Sequence, residues 1–351
     1  MPAGVFKEKY SELMAHLRYP VHWAAAAAAA LFLLLLPLAG AYPVSVAVDA
    51  AVFLVAAMGL NLTTGLAGQI SLAQAALMGV GAYTVARTVA WLYSAGHPVA
   101  GLGLLLVPVA GLAAAAVGLA LALPSFRLKG YYLAMASLAA QVLLAYLFRT
   151  VVDPNQGIVV PEEALTVAGV DFGSGPAMYY LVVGVAAVLA LVAANVGRSS
   201  LGRAMKAVRD NDVSAAIVGI DVARTKALAF ALGAFYAGVA GALYTVYNHG
   251  ASWDAFTLAT SIDLLAMVLV GGAGRVVWGS LLGVLLLRSL WGNLDAVLTG
   301  LPAVNMLGGV DAVKYLVFGL LVAYFVVEEP EGLIGVLRRV KEYLRLWPFS
   351  Y

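Results

Sequence analysis

Long uncharged stretches constrain this chain more than any other feature. About 20 apolar residues form a helix that crosses a membrane, and six uncharged stretches approach or exceed that length: 24–48, 51–86, 88–126, 130–148, 172–196 and 227–253. Only 11% of the residues are charged, whereas soluble domains carry about 25%. A chain with so few charges cannot cover a water-facing surface, so it must expose apolar surface to lipid.

The apolar pattern predicts an all-α polytopic membrane protein with about ten transmembrane helices. The predicted spans are 22–41, 45–64, 70–93, 99–122, 130–150, 177–197, 226–248, 257–272, 276–297 and 310–327. A cleavable signal peptide is the alternative for the first span, because Ala39-Gly40-Ala41 resembles a cleavage site. The preceding polar segment is long and the apolar sequence continues beyond the site, so a first transmembrane helix is the better interpretation.

Positive charge tests this count independently, because Lys and Arg concentrate in cytoplasmic loops. Ten helices place both termini on one side, and sixteen of the 20 Lys and Arg residues fall on that side. The sequence therefore predicts one transmembrane domain over 1–351, with both termini cytoplasmic. Its cytoplasmic parts are an N-terminal segment (1–21), a basic loop (198–226) and an amphipathic tail (328–351) that suits an anionic lipid surface. The largest outer loop, 151–176, carries four acidic residues and no Lys or Arg.

The chain lacks the motifs of an enzyme or of a self-powered pump. It contains no G-x-x-x-x-G-K-[ST] phosphate loop, no G-x-S-x-G and no H-E-x-x-H. It has no Cys, and none of its four His residues are paired at metal-ligand spacing. We therefore expect no catalytic residue, no metal site and no cofactor in this chain.

Polar residues and glycines interrupt the apolar pattern at 58–84, which reads MGLNLTTGLAGQISLAQAALMGVGAYT. Irregular polar backbone is tolerated in a membrane only where it packs within protein or lines a wet cavity. Two interpretations are equally compatible with this physics. The segment is either a discontinuous helix beside a substrate pathway or a set of polar side chains that hold helices together.

The basic loop 198–226 contains a short segment with helical spacing. Val213, Ala216 and Ile217 recur on one face, and Gly219 is placed to end the helix in a left-handed cap. A short exposed helix suits docking to a soluble partner. The alternative is a basic loop held near anionic lipid, which explains the charges but not the pattern of small residues.

Three segments carry a resemblance to a known family. Residues 58–84 resemble the GLNLxxGxxGQxSLGQAAxxGxGAYT signature of the branched-chain amino acid ABC transporter permeases, the LivM/LivH family. Residues 199–243 resemble the cytoplasmic coupling loop of that family, with Asp210 in place of the usual Glu, and 258–283 resemble a third family segment. The similarity extends over roughly 45–335.

This resemblance implies an ABC importer permease that is a transport subunit rather than an enzyme, in the cell inner membrane. The implied partners are a second homologous permease subunit, two cytoplasmic ATPase subunits that bind ATP and Mg, an extracytoplasmic solute-binding protein and membrane lipid, with no nucleic acid. The family carries branched-chain amino acids, and close relatives carry urea or short amides. The residues expected to couple to the ATPase are Arg203, Arg209, Val213, Ala215, Ala216, Gly219 and Ile220.

Charged residues within the predicted spans include Asp49, Asp263 and Arg288. An isolated charge at mid-membrane costs a few kcal/mol on insertion scales, so it usually faces a bundle interior or finds a partner. The predicted translocation-pathway residues are Asn61, Gln69, Ser71, Gln74 and Asp263. For Asp263, hydrogen bonding to neighbouring helices is the alternative. An ion-coupled secondary transporter would also explain the Asp residues within the membrane.

Overall fold

The computed structural model describes residues 31, 33–96, 100–123, 131–154, 157–167, 169–298, 309–329 and 331–346. The chain divides into two units, 1–46 and 47–351. In the described part of the first unit, a 3₁₀ helix over Leu36–Ala39 ends at Gly40, and the first long α-helix follows directly.

The second unit consists almost entirely of helices. The α-helices of the described chain are α1 (Ala41–Leu60), α2 (Gln74–Ser94), α3 (Leu102–Leu105), α4 (Val107–Ala122), α5 (Tyr131–Leu147), α6 (Gly175–Arg198), α7 (Ser200–Asp210), α8 (Asp212–Ile217), α9 (Val222–Tyr247), α10 (Leu258–Gly271), α11 (Val276–Leu298), α12 (Val310–Glu328) and α13 (Gly332–Leu346). Two of them are extended by π-helical turns, α1 through Asn61–Leu66 and α5 through Phe148–Val152.

A helix lies at each predicted span after the first. Within the described residues, six helices are long and apolar enough to cross a membrane, and α10 with α11 adds a seventh span if this pair, bent by 115°, is one broken span. The apolar part of α12, Ala312–Phe325, is shorter. The predicted segment 1–21 and most of the predicted span 22–41 lie outside the described residues. The count of ten and the side of each terminus therefore stay predictions.

Small residues let α9 pack closely against α2 and α4. A Cβ atom on Gly241 would collide with the Met78 carbonyl, and one on Gly81 would collide with the Gly238 backbone. Helices in lipid gain no hydrophobic free energy by associating, so close van der Waals packing at small residues stabilises them instead. This explains why α9 carries so many glycines and alanines along its buried length.

The predicted outer loop adds a little β-structure to the all-α prediction. Strand β1 (Ile158–Val159) pairs antiparallel with β4 (Gly250–Ala251), which follows α9. Strands β2 (Thr166–Val167) and β3 (Val170–Asp171) form a second two-stranded ribbon. These ribbons are too short to show in an alternation pattern, so the sequence did not predict them.

The close packing of α9 predicts that Gly241→Leu destabilises the protein. The added side chain has no space beside the Met78 backbone, and overpacking of this kind costs about 1–3 kcal/mol or more. Thermal unfolding of the detergent-solubilised protein, followed by size-exclusion chromatography, measures the effect. Gly184→Leu is the matched control, because a Cβ at Gly184 meets nothing within 4 Å. Equal stability of the two variants would contradict this account of the packing.

Candidate functional site

The chain leaves α-helical geometry between α1 and α2, within the polar segment that the sequence singled out. The π-helix Asn61–Leu66 is followed by non-helical backbone at 67–73 before α2 begins at Gln74. This backbone, hereafter the break, separates two helices that are each long enough to cross a membrane. A pathway role for its side chains stays a prediction.

Side chains from α5 and α10 accept hydrogen bonds from the first backbone N–H groups of α2. The Ala75 N–H donates to Ser261 Oγ at 2.9 Å, and the Ala76 N–H donates to Gln141 Oε1 at 2.9 Å. Ser261 Oγ donates in turn to Gln141 Oε1 at 3.0 Å, and Gln141 Nε2 donates to the Phe256 carbonyl at 2.9 Å. This network connects the start of α2 to α5 and α10. Gln141 was not predicted as a site residue, because it is a single polar residue in an apolar stretch.

Two predicted pathway residues, Asn61 and Gln74, are buried in hydrogen bonds between helices. Asn61 Oδ1 accepts from the Gly274 N–H at 2.8 Å, and its Nδ2 donates to Ser280 Oγ at 3.2 Å. Gln74 Nε2 donates to the Ala56 carbonyl at 3.0 Å. Both contact patterns match the second interpretation of the polar segment, in which polar side chains hold helices together.

The other two predicted pathway residues of this segment, Gln69 and Ser71, lie in the break itself. Gln69 lines a polar pocket of about 360 Å³ together with Lys226, which lies 3.5 Å from Asp212. Within the described part of the chain, no hydrogen bond reaches the buried Oε1 of Gln69. Ser71 is buried, and its Oγ accepts from the Ala73 N–H at 3.4 Å. Gln69 is thus the pathway candidate of this segment with a free polar atom.

The predicted coupling loop is built from short capped helices. Ser199, Asn211 and Asp221 each accept a hydrogen bond from the backbone N–H three residues later, at 3.2, 3.0 and 2.9 Å. These side chains begin α7, α8 and α9, because they satisfy N–H groups that have no partner in the first turn of a helix. The caps therefore define the loop as three joined helices with sharp corners.

Gly219 ends α8 as predicted. Its φ is +89°, its N–H donates to the Ala216 carbonyl at 3.0 Å, and the Ile220 N–H donates to the Ala215 carbonyl at 3.0 Å. This pair of bonds is a Schellman motif, which favours glycine at the left-handed position. The left-handed cap is therefore confirmed.

Apolar side chains on α8 and its C-terminal end are exposed. The exposed fractions are 61% for Val213, 81% for Ile217 and 80% for Val218, and Ala216 between them is exposed as well. We call these four residues the coupling surface. Ala215 is only 5% exposed, so it packs inside the chain rather than lying on that surface. The sequence missed Val218 because it follows the last helical residue.

The two arginines predicted to couple differ in their contacts. Arg203 is exposed, and its Nη1 donates to the Arg198 carbonyl at 3.1 Å within the loop. Arg209 instead reaches inward, and its Nη1 donates to the Gly65 carbonyl in the π-helix at 2.9 Å. Its aliphatic stem lies so close to Gly68 that a Cβ there would meet it. Arg209 thus joins the loop to the break.

Asp263 lies on α10, apart from the other predicted pathway residues. It is half-buried, and none of the hydrogen bonds among the described residues joins it to the break. It interacts electrostatically with Arg288 of α11, which pairs with Asp49 of α1 at 3.2 Å. The described part of the chain holds no group of three or more His, Cys, Asp or Glu residues suited to a metal ion.

Several apolar helices of membrane length define a polytopic membrane protein. The sequence profile described as branched-chain amino acid transport system / permease component matches residues 42–326. The chain belongs to that family.

Curated relatives agree with this assignment. The chain is similar to the high-affinity branched-chain amino acid transport system permease protein LivM of Escherichia coli, with 29% identity over 87% of this chain and 74% of the relative. It is 28% identical to the protein of the same description from Salmonella typhimurium, over 84% of this chain and 70% of the relative. A probable LivM of Methanocaldococcus jannaschii is 28% identical over 68% of this chain and 71% of the relative. No solved structure matches the chain.

The contacts of Asn61 predict that Asn61→Leu destabilises the fold. The substitution leaves the Gly274 N–H without its acceptor, and a buried unpaired group costs about 1–3 kcal/mol. Thermal unfolding of the solubilised protein measures this loss. Asn248→Leu is the control, because Asn248 is exposed and bonds only within its own helix. Wild-type stability combined with loss of transport would instead support a pathway role for Asn61.

Proposed function

We propose that this chain is the membrane-spanning permease subunit of an ATP-binding-cassette importer in the inner membrane. A second homologous permease would complete the translocation pathway, and two cytoplasmic ATPase subunits would bind ATP and Mg and supply the energy. An extracytoplasmic solute-binding protein would deliver the cargo. The proposed cargo is a branched-chain or related amino acid, as the names of the relatives suggest, and urea or a short amide is the alternative.

The observation that supports this proposal most is an exposed apolar helix tied directly to the break. The coupling surface presents Val213, Ile217 and Val218 to the outside of the chain. A charged loop that only rested near anionic lipid would not need these apolar side chains. An amphipathic helix seated in a groove of another protein uses such residues as anchors.

Two contacts also connect the loop to the membrane helices, so that a displacement of the loop can be transmitted to them. Lys226 in the first turn of α9 is only 3% exposed and pairs with Asp212 at the start of α8. Arg209 carries the second link, from α7 to the Gly65 carbonyl. Movement of α8 would therefore displace α9 through the Lys226–Asp212 pair, and movement of the adjoining α7 would displace the π-helical end of α1 through Arg209.

The predicted outer loop supports docking of a binding protein less directly. Glu162 and Glu163 are exposed, while Asp153 is buried and accepts hydrogen bonds from the Tyr83 hydroxyl and the Gly157 N–H. Hydrogen bonds from the Ser174 hydroxyl and the Gly173 N–H hold the pKa of Asp171 below its usual value. The exposed Glu162 and Glu163 suit a partner with a basic surface.

Ile217→Asp is expected to prevent association with the ATPase. The side chain is 81% exposed, so the change leaves the fold intact while placing a charge at the centre of the coupling surface. Co-purification of the ATPase subunits with the tagged permease measures association. Val159→Asp is the matched control, because Val159 is 74% exposed on the opposite predicted side.

Two results would contradict the proposal. One is normal co-purification of the ATPase with Ile217→Asp. The other is uptake of L-leucine into proteoliposomes that contain this chain but no ATPase, which would favour an ion-coupled secondary transporter instead.

Arg209→Ala is expected to uncouple ATP hydrolysis from transport. The coupling surface remains, so the ATPase still associates, but the link to the Gly65 carbonyl is lost. A charge-assisted hydrogen bond is worth about 1.5–3 kcal/mol, so uptake per ATP hydrolysed should fall by about tenfold or more. Lys206→Ala, on the same helix, is the control, since Lys206 reaches only the Gly197 carbonyl at the end of α6. Equal coupling ratios in the two variants would show that Arg209 transmits nothing.

A further inference from the structure

Arg288 places a guanidinium in α11, which with α10 forms the bent pair of apolar helices. A charge among apolar membrane helices is expensive to insert, and it usually faces protein or a water-filled cavity.

Side chains of α1 and α10 lie beside this guanidinium, which belongs to α11. Its Nε lies 3.2 Å from Asp49 Oδ2 on α1, and its Cζ lies 3.5 Å from the ring centroid of Phe53, one turn along the same helix. Asp263 on α10 interacts with it electrostatically. The Phe53 ring holds the guanidinium by a cation–π contact and leaves its edges available.

The guanidinium is far from saturated. It has five N–H donors, and within the described part of the chain the buried Nε–H lies beside Asp49 without forming an aligned hydrogen bond. The side chains of Arg288 and Asp49 are 26% and 33% exposed. A structural ion pair in a membrane gains from full burial and from hydrogen bonds to every charged atom. This group has neither, so it is open on one side.

We propose that Arg288 and Asp263 bind the charged ends of a zwitterionic cargo as it crosses the membrane. The guanidinium binds the carboxylate through paired N–H groups, for which its planar fork is suited, and the Asp263 carboxylate binds the ammonium group. Asp49 and Phe53 are positioning residues that hold the guanidinium when the site is empty. Leu285, one turn before Arg288 and 50% exposed, offers apolar surface to the cargo side chain.

This inference rests on the proposed function and selects among its cargoes. Urea and short amides carry no net charge on any group, so a site for them has no need of a guanidinium and a carboxylate at membrane depth. An amino acid carries both charges and must leave water to cross. Opposite charges on facing helices replace the water that each end of the cargo loses.

The test is uptake by the assembled transporter in proteoliposomes with saturating, L-leucine-loaded binding protein. Arg288→Gln and Asp263→Asn should each lower the maximal rate by about tenfold or more, the effect of losing one charged hydrogen-bonding partner. Co-purification of the ATPase should be unchanged. Arg338→Gln is the matched control, because Arg338 pairs with Glu331 at 2.6 Å on the predicted cytoplasmic side, and its uptake should stay within about twofold of wild type.

A charge reversal separates cargo binding from a structural pair. The double variant Asp49→Arg, Arg288→Asp keeps an ion pair between α1 and α11 but moves the guanidinium, so uptake should stay low. Recovery of uptake in this variant would overturn the proposal, as would wild-type rates for both single variants. If Arg288→Gln does not assemble, the uptake rate of Asp263→Asn tests the proposal instead. This variant should fold normally, because Asp263 accepts no hydrogen bond among the described residues. Failure of the wild-type complex to transport L-leucine would instead contradict the proposed function.

Discussion

The backbone groups at the break between α1 and α2 constrain everything around them. A buried N–H or carbonyl that leaves a helix needs a hydrogen-bond partner within the protein. The Leu72 N–H donates to Ser137 Oγ at 2.9 Å, and Ser261 and Gln141 serve the next groups in the same way. Because these acceptors belong to α5 and α10, the positions of both helices depend on the break.

The same requirement explains why the break is connected to the loop on the predicted cytoplasmic side. The Gly65 carbonyl, freed by the π-helical turn, accepts from Arg209, and Asn61 Oδ1 accepts from the Gly274 N–H in the link between α10 and α11. A break that needs hydrogen bonds from both segments will shift when either moves. The basic loop and the link between α10 and α11 are therefore both tied to the π-helical end of α1.

Hydropathy, glycine placement and caps made the helices predictable, including the break near 67–73 and the left-handed end of α8 at Gly219. Their partners were not predictable, because hydropathy records contact with lipid rather than the identity of a neighbour. Asn61 meets Gly274 across 213 positions of sequence. For the same reason Ala215 and Arg209, both expected on the docking face, turned out to contact the interior of the chain.

Polar groups within the membrane of this protein differ in whether their hydrogen-bonding capacity is used. Asn61 and Gln141 each donate and accept between helices, so they have little left to offer a cargo. Arg288 has charge, partial exposure and a buried Nε–H that forms no hydrogen bond among the described residues. A permeating solute binds weakly at successive sites. Each site therefore needs side chains whose hydrogen-bonding capacity is unused when no solute is bound. By this criterion the face formed by Asp49, Arg288 and Asp263 fits a cargo pathway better than the break does, and the break fits the mechanical link that opens and closes it.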